Sequence, residues 1–102
     1  MSRDVKYIGM DVHKEAIMIA VLNESGKLVM ESVIETKASS ILEFLRGLRG
    51  ELHVTWEEGT RAAWLYDLLQ PHVQHIVVCN PRRNALLKEG SPTAFIPFFR
   101  RR

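Results

Sequence analysis

KYIGMDVHKEA, residues 6–16, is the segment of the sequence that indicates the fold most clearly. Residues 5–12 are apolar almost throughout, which is typical of a central strand that is buried on both faces of a sheet. Asp11 interrupts this apolar run near its end, and a new apolar segment starts at Ala16. An acid in this position is a metal ligand, a residue of a phosphate-binding loop or a turn former. The rest of the chain has to discriminate among these three roles.

Apolar periodicity and turn signals predict four further strands and two helices. In chain order the predicted elements are strands at 5–12, 16–23 and 28–35, a helix at 40–49, a strand at 52–57, a helix that Pro71 ends, and a strand at 75–79. The turn signal Glu24-Ser25-Gly26-Lys27 joins the second and third strands, so the first three strands should form an antiparallel meander.

The helices are predicted from apolar side chains at helical spacing and from polar residues at their ends. We expect Ser39 or Ser40 to cap the first helix, Gly50 to end it, and Thr60 to cap the second. The predicted apolar faces consist of Ile41, Phe44, Leu45 and Leu48 in the first helix, and Trp64, Leu65, Leu68 and Leu69 in the second.

The order βββαβαβ predicts an α/β fold with a mixed sheet in strand order 3-2-1-4-5 and helices packed on it. The ribonuclease H-like architecture has this order of elements. The half-domains of actin-like kinases and ATPases share it. The order alone therefore leaves both classes open.

Composition sets broad limits on the class of protein. The chain has 102 residues, 46% hydrophobic and 25% charged, which suits one globular domain. It contains no apolar run of the ~18–20 residues that span a bilayer, and MSRDVKY lacks the apolar core of a signal peptide. The single Cys79 cannot form an internal disulfide. We therefore expect a cytoplasmic protein that makes no membrane contact.

The formal charge of +2 depends on three arginines at the very end of the sequence, at positions 100–102. Without them, eleven basic residues face twelve acidic ones, a net charge of −1. Overall charge therefore gives no indication of nucleic-acid binding, and only local basic residues could provide it.

Acidic residues end two strands that are neighbours in the predicted sheet. Asp11 ends the first strand, and Glu57 and Glu58 end the fourth. Ligands bind beyond the carboxyl ends of strands in such sheets, and Mg²⁺ prefers carboxylate oxygens. Alternation puts Glu57 on the more polar face of its strand, so we prefer it to Glu58 as a ligand.

The residues alone leave a structural interpretation of these acids open. An Asp after a strand is often a turn residue, and acids before a helix often complement its dipole. Two carboxylates are also too few for a two-metal centre.

Three segments carry a resemblance to a known family. They are YIGMDVHKE at 7–15, TWEEGTRAAWLYDLL at 55–69 and VVCNPRRNALLKEG at 77–90. Together they resemble the N-terminal domain of a bacterial insertion-sequence transposase family with a RuvC-like DEDD domain and a C-terminal domain that carries a serine nucleophile. Members of that family are recombinases directed by a bridge RNA. The resemblance implies a ribonuclease H-like fold, Mg²⁺ as cofactor, and DNA and a guide RNA as partners.

Carried over residue by residue, the resemblance places the first catalytic acid on Asp11 and the second on Glu57. The third and fourth acids of the family lie in an Asp-x-x-Asp-Ala segment that should begin just past Gly90, where this chain reads Ser91-Pro92-Thr93-Ala94. We therefore expect residues 1–90 to form a partial, C-terminally truncated RuvC-like domain.

The segment that follows, SPTAFIPFFRRR at 91–102, is rich in phenylalanine and arginine and has no helical period. We expect it to be a poorly ordered tail, and a shift of reading frame is one hypothesis for its origin. A chain with two of four acids and no serine domain should be inactive alone, although it could bind nucleic acid or associate with full-length transposase.

Other residues were weighed for binding and for metal coordination. Lys14, Arg82 and Arg83 are candidates for contacts with a nucleic-acid backbone. His72 and His75 have no spacing to a third ligand, so no zinc site is predicted. Cys79 is expected to be a structural thiol at the end of a buried strand.

Two alternative functions remain. One is a fragment of an actin-like sugar kinase, but the phosphate loop of such proteins needs glycines after the Asp, and here Val12-His13-Lys14 follows Asp11. The other is a non-catalytic remnant that binds nucleic acid.

Overall fold

The structure is a computed structural model that describes residues 4–80. Its elements are β1 (Val5–Val12), β2 (Ala16–Leu22), β3 (Leu28–Glu35), α1 (Ala38–Arg46), β4 (Glu51–Glu57), α2 (Ala62–Leu69), a 3-10 turn (Gln70–His72) and β5 (His75–Cys79). The predicted order βββαβαβ is confirmed, and the predicted strand bounds agree with the observed ones to within one residue. None of the helices within residues 4–80 has the length and apolar character needed to cross a bilayer.

One mixed sheet organises the structure. Its strand order is β3-β2-β1-β4-β5, so the strand that contains Asp11 is central, as predicted. β1 and β3 run antiparallel to β2, whereas β1, β4 and β5 run parallel to one another. The α/β fold and the order 3-2-1-4-5 are therefore confirmed.

The core forms between one face of the sheet and both helices. Alternating strand residues such as Ile8, Met10, Val54 and Trp56 point into it, since register partners share a face. The helices contribute Ile41, Leu45, Leu65 and Leu69, all buried. The opposite face of β1 and β4 carries Tyr7, Gly9, Asp11, His53, Thr55 and Glu57.

The start of α1 differs from the prediction. The helix begins at Ala38, with Lys37 at the N-cap position, so Ser39 and Ser40 lie inside it, and no side-chain cap is found among the described residues. The cause is the end of β3, where Thr36 N donates to Glu15 O (3.1 Å) and Thr36 Oγ1 donates to His13 O (2.8 Å). These bonds fix the chain beside the β1–β2 turn, so it enters the helix at once.

The other predicted ends are also displaced. α1 ends at Arg46 with Gly47 at its C-cap, so Gly50 does not end it. Gly50 instead has φ +92° and directly precedes β4. α2 starts at Ala62 with Arg61 rather than Thr60 at its N-cap position. Trp64, predicted on the buried face of α2, is 40% exposed.

β5 is an edge strand rather than a buried one. Val77 and Val78 are each 36% exposed, whereas Cys79 at its end is buried. The Cys79 Sγ lies 3.1 Å from Thr55 Oγ1, a buried contact that suits a structural thiol. The predictions for Arg82, Arg83 and the 91–102 tail lie outside the described residues.

Candidate functional site

A pocket of about 220 Å³ lies at the carboxyl ends of β1 and β4. The parallel register pairs Met10 with Trp56, so Asp11 and Glu57 follow as the next residues of two neighbouring strands. The two acids lie on the same face of the sheet because Gly9 and Thr55 are also register partners. The pocket is lined by Met10, Asp11, Val12, Trp56, Glu57, Glu58, Gly59, Thr60, Arg61 and Ala62.

Asp11 is held beside the turn that joins β1 to β2. Its Oδ2 lies 3.1 Å from His13 Nε2, and its side chain is 38% exposed. The turn is closed by a hydrogen bond from His13 N to Ala16 O (2.9 Å). Asp11 is therefore a half-exposed carboxylate on a fixed strand end, where an ion or a phosphate could reach it.

Glu57 and Glu58 have different surroundings. Glu57 is half-buried on the face that Asp11 shares, whereas Glu58 is exposed and its Oε1 accepts a hydrogen bond from Asn80 Nδ2 (3.1 Å). Glu58 N also donates to Cys79 O (2.7 Å), so Glu58 ties the ends of β4 and β5 together. The structure brings Asp11 and Glu57 to one pocket, and their role as metal ligands stays a prediction.

Of the basic residues predicted to contact nucleic acid, only Lys14 lies among the described residues. Lys14 is exposed on the β1–β2 turn, at the same end of the sheet as the pocket. Arg82 and Arg83 lie outside the described residues. Sequence reasoning missed Arg61, whose half-buried side chain lines the pocket at the start of α2. The signal that could have found it is its position directly after Glu57-Glu58-Gly59-Thr60, between a strand end and a helix start.

The donor set of the pocket suits a hard cation. Asp11 and Glu57 offer carboxylate oxygens, and Mg²⁺ binds proteins through one or two carboxylates while it keeps several waters. A pocket of about 220 Å³ has room for a hydrated ion. The residues present therefore fit a single Mg²⁺ ion.

A second group of ligand-type side chains lies at the other end of the sheet. Glu51, His53 and His75 each place one ligand atom within 4.8 Å of the others. The sequence spacing showed no third ligand for His72 and His75, whereas the structure places Glu51 and His53 beside His75. The signal was present as Glu51-x-His53 on one strand, and it becomes visible only with the β4–β5 register.

Comparison with known proteins finds a similar sequence. No protein-family model matches the chain. A transposase for insertion sequence element IS1533 from Leptospira borgpetersenii is 38% identical over 74 residues, which is 69% of this chain and 21% of that protein. The chain thus spans about a fifth of the length of this curated relative. The match supports an insertion-sequence transposase family.

Among solved structures, Pelota from Archaeoglobus fulgidus resembles the chain in fold. The TM-score is 0.55 with 13% sequence identity, and the match covers 97% of this chain and 35% of Pelota. At this identity the likeness concerns the arrangement of strands and helices alone.

Proposed function

We propose that the chain is the N-terminal part of a ribonuclease H-like, RuvC-like catalytic domain of a DNA transposase, with Asp11 and Glu57 as ligands of Mg²⁺. The observation that carries this proposal is the convergence of the two acids in one pocket, at the carboxyl ends of two neighbouring parallel strands. The IS1533 transposase supports DNA as the partner. A kinase of the actin-like class is not favoured, because the similar protein is a transposase and no glycine follows Asp11.

Each residue of the site has a distinct task in this proposal. Asp11 and Glu57 hold the ion, which when bound would polarise a phosphoryl oxygen. Arg61, on the rim of the same pocket, supplies the positive charge that a DNA phosphate needs beside two carboxylates. Lys14, exposed on the adjacent turn, adds a second phosphate contact.

We further propose that this chain binds DNA without cleaving it. Two carboxylates hold one ion, whereas a two-metal phosphoryl-transfer centre needs more ligands. Strand cleavage would then require further acids, which association with full-length transposase would supply, while a guide RNA is the further partner that the family resemblance implies. Robust Mg²⁺-dependent cleavage of DNA by the chain alone would contradict this part of the proposal.

Fluorescence anisotropy with a labelled DNA duplex tests the proposed DNA contacts. Affinity should fall steeply as salt rises, because phosphate contacts release counterions. Arg61→Ala and Lys14→Ala should each weaken binding and reduce the salt slope by about 1.

The matched control is Lys27→Ala. Lys27 is exposed on the β2–β3 turn, at the opposite end of the sheet, and its loss should leave affinity unchanged. Equal weakening by Lys27→Ala and Lys14→Ala would show that binding depends on overall charge, and the proposed interface would then be wrong.

A further inference from the structure

The group formed by Glu51, His53 and His75 lies at the amino ends of β4 and β5, at the end of the sheet remote from Asp11. Glu51 and His53 are two residues apart on β4, so their side chains leave the same face. His53 is the register partner of His75 on the neighbouring strand β5, which places all three on that face. The sheet itself therefore brings two imidazoles and one carboxylate together.

The distances within the group are short. His53 Nε2 lies 2.6 Å from Glu51 Oε2, and the rings of His53 and His75 are stacked with centroids 4.5 Å apart. One ligand atom from each residue falls within 4.8 Å of the other two. We propose that Glu51, His53 and His75 bind a divalent transition-metal ion of the zinc type.

Contacts within the sheet restrain the His53 ring and the start of β5 before any ion binds. On one side of His53 stands Tyr7, with ring centroids 5.1 Å apart, and on the other stands His75. Leu52 N donates to Gln74 Oε1 (2.6 Å) and Gln74 N donates to Leu52 O (3.0 Å), so the entry to β5 is tied to β4. His75 is exposed, which gives an ion access from solvent. The His53 ring, which is packed between two other rings, therefore loses little freedom on binding.

The chemistry of the donors selects the ion. Two imidazole nitrogens and one carboxylate oxygen are the protein ligands of open zinc sites, in which water takes the fourth position. With bonds of about 2.0–2.1 Å, ligand atoms around a tetrahedral ion lie roughly 3.3 Å apart. The His53–Glu51 pair at 2.6 Å must therefore open by several tenths of an ångström, and the stacked rings of His53 and His75 must turn so that a nitrogen of each faces the ion. The carboxylates of Asp11 and Glu57 suit Mg²⁺ instead, so the two ends of the sheet should differ in selectivity.

Calorimetric titration of the full chain with Zn²⁺, without a histidine tag, tests the proposal. Visible absorption with Co²⁺ as a probe reports the ligand geometry. His75→Ala should weaken Zn²⁺ binding by about tenfold or more and abolish the tetrahedral Co²⁺ bands. Because His75 is exposed, this variant should fold, and circular dichroism checks that it does. Glu51→Gln, which keeps the shape of the side chain, should also weaken binding.

Two control variants separate the site from other ligands. His72→Ala removes an exposed histidine three residues away and should leave Zn²⁺ affinity unchanged. Asp67→Asn, which removes an exposed acid on α2, should also leave it unchanged. The proposal is overturned if wild-type protein does not bind Zn²⁺, or if His72→Ala or Asp67→Asn weakens binding as much as His75→Ala does.

Discussion

Asp11 takes its possible role from its neighbours. A lone acid near a strand end is compatible with a turn, a phosphate loop or a metal site. Its place beside Glu57 in the pocket and the lack of a following glycine favour the metal site. Glu58, the residue after Glu57, has a different environment, since its carboxylate accepts a hydrogen bond from Asn80.

The backbone conformation of Gly50 predicts that an alanine at this position destabilises the fold. It has φ +92°, and a Cβ there would overlap the backbone carbonyl of Asp4, which accepts a hydrogen bond from Glu51 N. Gly50→Ala should lower the free energy of unfolding by about 2 kcal/mol or more, from the left-handed conformation and the overlap together. Urea denaturation followed by circular dichroism measures this.

Gly26 is the matched control for that variant. It has a similar φ of +83°, but a Cβ there would meet nothing within 4 Å. Gly26→Ala should therefore cost only the conformational term, about 1 kcal/mol. Equal losses in the two variants would show that the Asp4 carbonyl yields easily, which would contradict the packing described for the start of β4.

Hydrogen bonds to the Asn23 side chain stabilise the β2–β3 turn. Asn23 Oδ1 accepts hydrogen bonds from Ser25 N (3.0 Å), Ser25 Oγ (2.7 Å) and Lys27 N (3.0 Å). Asn23→Ala removes all three and should destabilise the fold by about 1 kcal/mol, because each bond is exposed and individually weak. Asn23→Asp keeps the acceptor oxygen and should retain most of the stability in the same urea titration. A larger loss in Asn23→Asp than in Asn23→Ala would contradict this account of the turn.

The elements also show what sequence could and could not predict. Alternation and turn residues gave the strands, because those signals are local. The predicted start of α1 was wrong because Thr36 forms hydrogen bonds with His13 and Glu15, residues more than twenty positions away. This tertiary contact overrides the local preference of Ser39 and Ser40 for the N-cap position.

Some residues of the proposed sites could also be predicted from sequence, and others could not. Asp11 and Glu57 could be paired from sequence because both follow directly from the predicted strand order. Arg61 was missed although it directly follows Glu57-Glu58-Gly59-Thr60, since its approach to the pocket depends on where α2 starts. The His53–His75 pair needed the β4–β5 register, which the sequence pattern left undetermined.

In the molecule as a whole, two groups of polar side chains with different donor atoms lie at opposite ends of the sheet. The carboxyl ends of β1 and β4 gather oxygen ligands, with Arg61 and Lys14 nearby. The amino ends of β4 and β5 gather two imidazoles and a carboxylate. Because the two groups lie at opposite ends of the parallel strands, we expect substitution in one group to leave the other unaltered.

In the proposed site, Asp11 and Glu57 jointly hold a divalent cation. Nuclear magnetic resonance of the ¹⁵N-labelled chain with substoichiometric Mn²⁺, a paramagnetic substitute for Mg²⁺, tests this coordination. Amide signals around Asp11, Glu57 and Thr60 should broaden in the wild type. The broadening should be lost in Asp11→Asn and in Glu57→Gln, but it should persist in Asp67→Asn, which removes an exposed acid on α2. Unchanged broadening in Asp11→Asn or Glu57→Gln would contradict the claim.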